Sequence, residues 1–284
     1  MTTINAKTGP RPSSAAVTGD LRANGVGAVA NEPSPDGRAR AEADATGEGA
    51  LLRPRRPRSG GWAESEVPES ESHARLFDGS ELSRWSGHVT NHWAVVDGCI
   101  CASNDSPVPV STYLFTDKPY RNFRLLFEVK QEVGPTYSPA MHSAMAMLGE
   151  RITDRDEPYG FKGLLLMFCG DWGIWDAHGR NRIYPAEQPQ DVMWSHPSED
   201  VGGWNRIELL VVGNRIQMAN NGQLVVDYTE KERRLNASPL GLQLHSNSAP
   251  QRYFFRGLVV TENPEPHLTI SRPRPSSRPG RFQQ

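Results

Sequence analysis

The chain of 284 residues carries 31 basic and 33 acidic side chains, a formal net charge of −2, so no global field of either sign recruits nucleic acid or an anionic membrane. Its 26 glycines, 23 prolines and 37% hydrophobic residues are unevenly spread, so the folded part is shorter than the chain. Cys99, Cys101 and Cys169 form an odd set with two members at i and i+2, a poor disulfide framework that reads as buried or half-buried thiols.

From Met1 to Ser72 the sequence is rich in Ala, Gly, Pro, Ser, Arg and Glu and almost lacks aromatic and β-branched clusters. Such a segment buries too little apolar surface to offset its ordering entropy and is expected to be a disordered arm, residues 1–72. Its Arg53-Pro54-Arg55-Arg56-Pro57-Arg58 stretch suits phosphate or an acidic protein, and equally suits plain solvation. The first residues hold no apolar segment of the kind a secretory signal needs, and no apolar run approaches bilayer length, which predicts a soluble, cytoplasmic protein.

Between His73 and Asn263 the texture changes to short runs of period-two alternation separated by Gly, Pro, Asn and Asp. In Phe123 to Lys130, Phe123, Leu125, Phe127 and Val129 share one face, and Arg124, Glu128 and Lys130 share the other. Trp204 to Val212 and Gly213 to Ala219 predict a hairpin pivoting on Gly213-Asn214, and Asn221-Gly222 supplies the strongest short hairpin signal in the chain. Leu240 to His245 alternates again, and Tyr253 to Val260 closes the domain with an apolar strand. The core shows no amphipathic helix. About 190 residues at this strand density predict an all-β, two-sheet jelly-roll sandwich over residues 73–263, since an immunoglobulin-like domain needs only about 100. Residues 264–284, basic and proline-rich, predict a second disordered arm.

Leu76-Phe77-Asp78-Gly79-Ser80-Glu81-Leu82-Ser83-Arg84-Trp85 and Trp93-Ala94-Val95-Val96-Asp97-Gly98 resemble the opening motifs of the 3-keto-disaccharide hydrolase family. The resemblance continues in order through Asn122 to Lys130, Gly203 to Glu208, Asn221-Gly222, Gly241 to His245 and Phe255 to Leu258. It implies a concanavalin A-like sandwich and cleavage of 3-keto-glycosides. At the family's central motifs the sequence departs: His142-Ser143-Ala144 stands in for Asn-Ser-Gly, Asp171 for a glutamate and Gly173 for a glutamine, while Asp176 keeps the aspartate and Ile183-Tyr184-Pro185 follows. Glu to Asp keeps the charge but shortens the reach, and a 1 Å misplacement can cost about a hundredfold in rate.

Alternation predicts that Glu128, Lys130, Gln243 and His245 neighbour one another on one polar face, either merely solvated or lining a groove. His245 is the candidate base or metal ligand, because neutral imidazole does either near physiological pH. With the resemblance, His245, Asp171 and Lys130 become the candidate catalytic residues, and Glu128, His142, Ser143, Trp172, Trp175, Tyr184 and Gln243 the candidate substrate contacts. Asp176 and His142 are candidate ligands for a divalent metal, in a spacing that does not by itself mark a metal site. One of Trp172, Trp175 and Trp194 is expected to stack on a sugar, although sandwich tryptophans are mostly core. Arg180 and Arg182 are suited both to sugar hydroxyls and to loop carbonyls. The implied chemistry starts from the C3 ketone, which acidifies the C2 proton so that the C1 substituent leaves by elimination and water adds back. That needs a base, His245 or Asp171, and a group for the enolate, Lys130 or a metal. No E-x-D-x-x-E pair, Ser-His-Asp set, Walker loop or zinc-finger spacing is present. The expected ligand is a carbohydrate, and the alternative to an enzyme is a noncatalytic carbohydrate-binding module.

Overall fold

Alternating apolar residues bounded by turn residues can bury one face only by pairing into sheets and stacking those sheets. The computed structural model describes residues 61–87, 89, 91–137, 142–152, 160–187, 196–232 and 236–270. A short helix, α1 (Gly61–Glu66), comes first. It is followed by β1 (Ala74–Arg75), β2 (Trp85–Gly87), β3 (Trp93–Val96), β4 (Cys99–Asn104) and β5 (Thr112–Tyr120). Next come β6 (Phe123–Gln131), β7 (Ser143–Ile152), β8 (Gly160–Phe168), β9 (Gly173–Asp176) and β10 (Asn181–Tyr184). β11 (Asn205–Val212), β12 (Arg215–Asn220), β13 (Gln223–Thr229), β14 (Ser238–Leu244) and β15 (Gln251–Glu262) complete the described strands.

One sheet runs β13-β12-β11-β6-β15-β4-β3, with β1 added against β15, and the other runs β10-β9-β8-β7-β14-β5-β2. Two antiparallel sheets make this an all-β sandwich, as the alternation predicts. Phe123, Leu125, Phe127 and Val129 of β6 are fully buried and share one core cluster with Met145 and Met147 of β7, Leu164 and Leu166 of β8, and Leu240, Leu242 and Leu244 of β14. Each such side chain contributes about 1.5–3 kcal/mol on leaving water. The predicted hairpins form: β11 pairs with β12 across Gly213, and β12 with β13 across Asn221 and Gly222, whose φ of 49° and 83° are the left-handed values a tight hairpin turn requires.

The outward face of β6 departs from expectation, because Arg124, Leu126 and Glu128 are buried and only Lys130 is part-exposed. Leu126 packs in a second apolar cluster with Ala63 of α1, Ala219, Val259 and Ile270. Fully buried Arg124 pairs with Glu208 and, at 2.9 Å, with Glu71, and donates to the carbonyl of His267 at 2.9 Å. Glu208 accepts the backbone N–H groups of Thr269 at 2.9 Å and Ile270 at 2.8 Å. The packed body therefore extends past both boundaries read from sequence, taking in residues 61–72 and 264–270. Those segments carry their few apolar residues without a helix or strand period, so no local pattern marks them. The expected disorder of residues 1–60 and 271–284 concerns positions outside the described residues. All three cysteines are free and buried. Among the described residues no helix is long and apolar enough to cross a membrane.

Candidate functional site

Alternation along β14 sends Leu240, Leu242 and Leu244 between the sheets and therefore Gln243 and His245 onto the outer face of the seven-stranded sheet. That face is apolar over much of its area: Tyr113 and Phe115 of β5, Ala144 and Ala146 of β7 and Leu165 and Met167 of β8 form their own cluster, with Trp175 of β9 against it. A cavity of about 360 Å³ opens there, within the range of small-molecule sites. Tyr113, Leu165, Met167 and Trp175 make its apolar wall, and Ser111, His142, Asp171, Arg182, Gln243 and His245 its polar one.

The polar wall is tightly organised. Arg182 on β10 lies opposite Trp175 on β9, and its Nη2 donates to the Asp171 Oδ2 at 2.5 Å, both side chains being only 3% exposed. His142 Nδ1 stands 3.9 Å from the same carboxylate oxygen. His142 and His245 meet edge to face with ring centroids 4.6 Å apart. His245 Nδ1 lies 2.6 Å from the carbonyl oxygen of Ser246, which can only accept, so Nδ1 carries the proton and Nε2 keeps a bare lone pair. Gln243 Nε2 donates to the Tyr113 hydroxyl at 3.0 Å. Burial, followed by the neighbouring His245 and Arg182, holds His142 down to about 3, and burial lowers His245 below its ordinary value although its hydrogen bond to the Ser246 carbonyl and, after it, the Asp171 charge pull it back up. Both imidazoles are therefore neutral at pH 7. Arg182 Nε and Nη1, Gln243 Oε1 and His142 Nδ1 are buried without hydrogen-bond partners. Buried polar atoms are seldom left so, and these four belong to residues that line one cavity.

Of the residues singled out in the sequence, His142, Asp171, Trp175, Gln243 and His245 meet at this cavity. Lys130 and Glu128 do not. Both sit on β6 in the other sheet, where the Lys130 Nζ lies 4.9 Å from the Phe254 ring centre and Glu128 pairs with Arg256 at 2.8 Å. Period two fixes which face a strand presents, not which sheet it joins. Ser143 shares the inward parity of Met145, and its Oγ donates to the Gln243 carbonyl at 2.6 Å. Trp172 is fully buried in the core, its Nε1 donating to Glu199 at 2.7 Å, and Tyr184 packs edge-on against Tyr228 with centroids 6.3 Å apart. Asp176, the expected metal ligand, is taken up by Arg180 and the His178 N–H, while Arg180 also binds Glu230 at 2.8 Å. A side chain at Gly173 would place its Cβ 2.2 Å from the Tyr184 carbonyl oxygen, so the position set against the family's glutamine has no room for one. Trp194 lies outside the described residues.

Sequence reasoning left Ser111, Tyr113, Leu165 and Met167 unnamed and left Arg182 undecided between sugar and loop contacts. Reading Asp176-Ala177-His178-Gly179-Arg180-Asn181 as a hairpin turn would have set Arg182 across from Trp175, the register observed. Tyr113 and Leu165 carry no such signal, since an apolar residue on a two-sided strand looks the same on either face.

The outer face of this two-sheet sandwich thus holds one cavity on which His, Asp and Arg side chains converge. The chain belongs to the 3-keto-alpha-glucoside-1,2-lyase-like domain family, whose model matches residues 72–261. Among solved structures, a Parabacteroides distasonis protein proposed as a glycosyl hydrolase is similar at 16% identity, over 72% of this chain and 99% of that one, with a TM-score of 0.48. The carbohydrate binding module CBM66 of Bacillus subtilis is similar at 11% identity, over 63% and 96%, with a TM-score of 0.43. No curated protein matches the sequence.

Proposed function

We propose that this cavity binds a 3-keto-glycoside and cleaves it by elimination across C1 and C2, followed by addition of water. The observation that carries the reading is the set of unpartnered buried donors and acceptors, Arg182 Nε and Nη1, His142 Nδ1 and Gln243 Oε1, around one cavity in a chain of this family. Such atoms call for a ligand with both acceptor and donor oxygens, which a sugar ketone supplies through its carbonyl and hydroxyls.

His245 Nε2 removes the C2 proton, which the C3 carbonyl has acidified. Negative charge moves to the ketone oxygen, where Arg182 offers one of its free N–H groups. Removing one such donor from an enzyme typically costs about 10²–10³ in rate. The C1–O bond then breaks as C1=C2 forms, and the proton on His245 passes to the departing oxygen. Water adds across C1=C2, giving net hydrolysis. Asp171 holds the guanidinium in place, Gln243, Tyr113 and His142 hydrogen-bond sugar hydroxyls, and the half-buried face of Trp175 lies under the ring. Arg182 thus takes the part first given to Lys130.

The divalent metal considered for this chemistry has no fitting ligand set: among the described residues no group of three or more His, Cys, Asp or Glu side chains is placed to hold an ion, and Arg182 already brings a positive charge to Asp171. No step here runs through one. Incubating the purified protein with a 3-keto-glucoside and following release of 3-ketoglucose by chromatography tests the proposal. Turnover that disappears in His245→Ala is expected, and wild-type protein that binds the compound without releasing product would instead favour a noncatalytic binding module.

A further inference from the structure

The Asp171 carboxylate reaches the cavity from an unusual piece of backbone. β8 ends at Phe168, and the next two residues are both left-handed, Cys169 at φ 61° and Gly170 at φ 86°. Glycine takes that conformation freely, whereas a fully buried cysteine does so only against steric cost and only where the surroundings hold it. The Glu199 side chain contributes to that hold. Glu199 accepts the Gly170 N–H at 3.0 and 3.3 Å from its two carboxylate oxygens and the Trp172 indole N–H at 2.7 Å. It thus grips the residues on either side of Asp171 while making no contact with the cavity itself.

Glu199 is in turn held by the other sheet. Its neighbour Ser198 accepts from Asn220 Nδ2 at 3.0 Å and, through its carbonyl, from Asn221 Nδ2 at 2.8 Å, both at the β12–β13 turn. Asp200 N donates to Asn205 Oδ1 at 2.8 Å, at the start of β11. The segment 196–200 is therefore tied to the eight-stranded sheet at several points, although the residue it serves lies on the seven-stranded one.

We propose that Glu199 is a positioning residue for the cavity: by bridging the Gly170 and Trp172 N–H groups it fixes the left-handed turn that delivers the Asp171 carboxylate to Arg182 and His142. The inference rests on the functional reading above for its effect on rate, but not for its effect on geometry. Misplacing a reacting or orienting group by about 1 Å can cost a hundredfold in rate, so the consequence falls on kcat while the apolar wall and Gln243 keep the substrate bound.

The test uses the full chain and three variants, Glu199→Gln, Trp172→Phe and Asp171→Asn, with two measurements. The first is steady-state cleavage of a 3-keto-glucoside, where E199Q is expected to lower kcat about 10- to 100-fold with KM within about threefold. The second is the titration of the His245 ring nitrogens by NMR, which needs no turnover. Asp171 is the charge that raises His245, so a carboxylate displaced from its place lowers the His245 midpoint in the same direction as D171N. W172F removes a donor to Glu199 without removing a charge, and it is expected to move His245 the same way. A His245 midpoint unchanged in W172F, or a shift confined to E199Q, would overturn the proposal, since either leaves Glu199 as a brace or a distant charge. If E199Q does not fold, Glu199→Asp replaces it with the same readings. A wild-type protein without turnover sinks the functional reading alone, and the titrations still decide the positioning role.

Discussion

The imidazoles of His142 and His245 stand edge to face with centroids 4.6 Å apart, and the same Asp171 oxygen that binds Arg182 lies 3.9 Å from His142 Nδ1. Burial is the largest force holding both rings neutral, and at His142 the neighbouring His245 and then Arg182 add like-charge repulsion to it. His142 is pushed down to about 3.

The first expectation is a stability slope. In the unfolded chain a histidine binds its proton near pH 6.5, while folded His142 binds it only near 3, so the unfolded state holds more protons between these values. The stabilising contribution is present above about pH 6.5 and is lost as pH falls toward 3, by on the order of 1 kcal/mol per pH unit. Urea denaturation at pH 7 and pH 4.5 measures it, and His142→Asn should flatten the difference. An equal slope in that variant would mean that other groups carry it.

Activity should follow His245. Its neutral form is the base, and burial lowers its midpoint, so kcat/KM rises with pH through a value below 6.5 and is level at neutral pH. Asp171→Asn removes the charge that pulls the midpoint up, and its acid limb is expected to move to lower pH. A limb that moves to higher pH would show that His245 is not the titrating base.

Arg182→Met separates stability from chemistry. It takes the guanidinium away from the buried Asp171 carboxylate, a change that typically costs about 3–5 kcal/mol, and it removes the free N–H groups of Arg182, with an expected loss of about 10²–10³ in kcat. The double variant R182M/D171N should regain much of the stability and none of the activity. Denaturation midpoints and initial rates report the two effects independently.

Lys130→Ala and Glu128→Gln sit on the opposite sheet, where Lys130 packs over Phe254 and Trp204 and Glu128 pairs with Arg256. Both variants are expected to keep kcat and KM within about twofold, whereas Trp175→Ala raises KM and Trp172→Ala destabilises the fold by about 3–5 kcal/mol as a core truncation. A tenfold fall in kcat for K130A would contradict the placement of the site.

Truncation after Asn263 removes the backbone N–H groups of Thr269 and Ile270 that bind Glu208, and the His267 carbonyl that binds Arg124. Leaving such charged groups unsatisfied in the interior should cost about 3 kcal/mol or more, read as a lower melting temperature. An unchanged melting temperature would restore the original reading of that segment as a free tail.

The sequence by itself determined the strands β6 and β11 to β15, the two hairpins at Gly213 and Asn221-Gly222, the face that β6 turns to the core and the parity that puts Gln243 and His245 outside, because these follow from a period of two and from residues that accept left-handed backbone. The ordered motifs also pointed to the family. Sheet membership was a different matter: β6 and β14 present the same alternation, yet one joins the eight-stranded sheet and the other the seven-stranded one, and that partition separated Lys130 and Glu128 from His245. Arg182 became a site residue only through the β9–β10 register, and Trp172 a core residue only through the turn at Cys169 and Gly170. Local pattern fixes the face of a strand. Which faces meet is decided by long-range pairing, and that pairing brought Asp171, Arg182, His142 and His245 to one cavity.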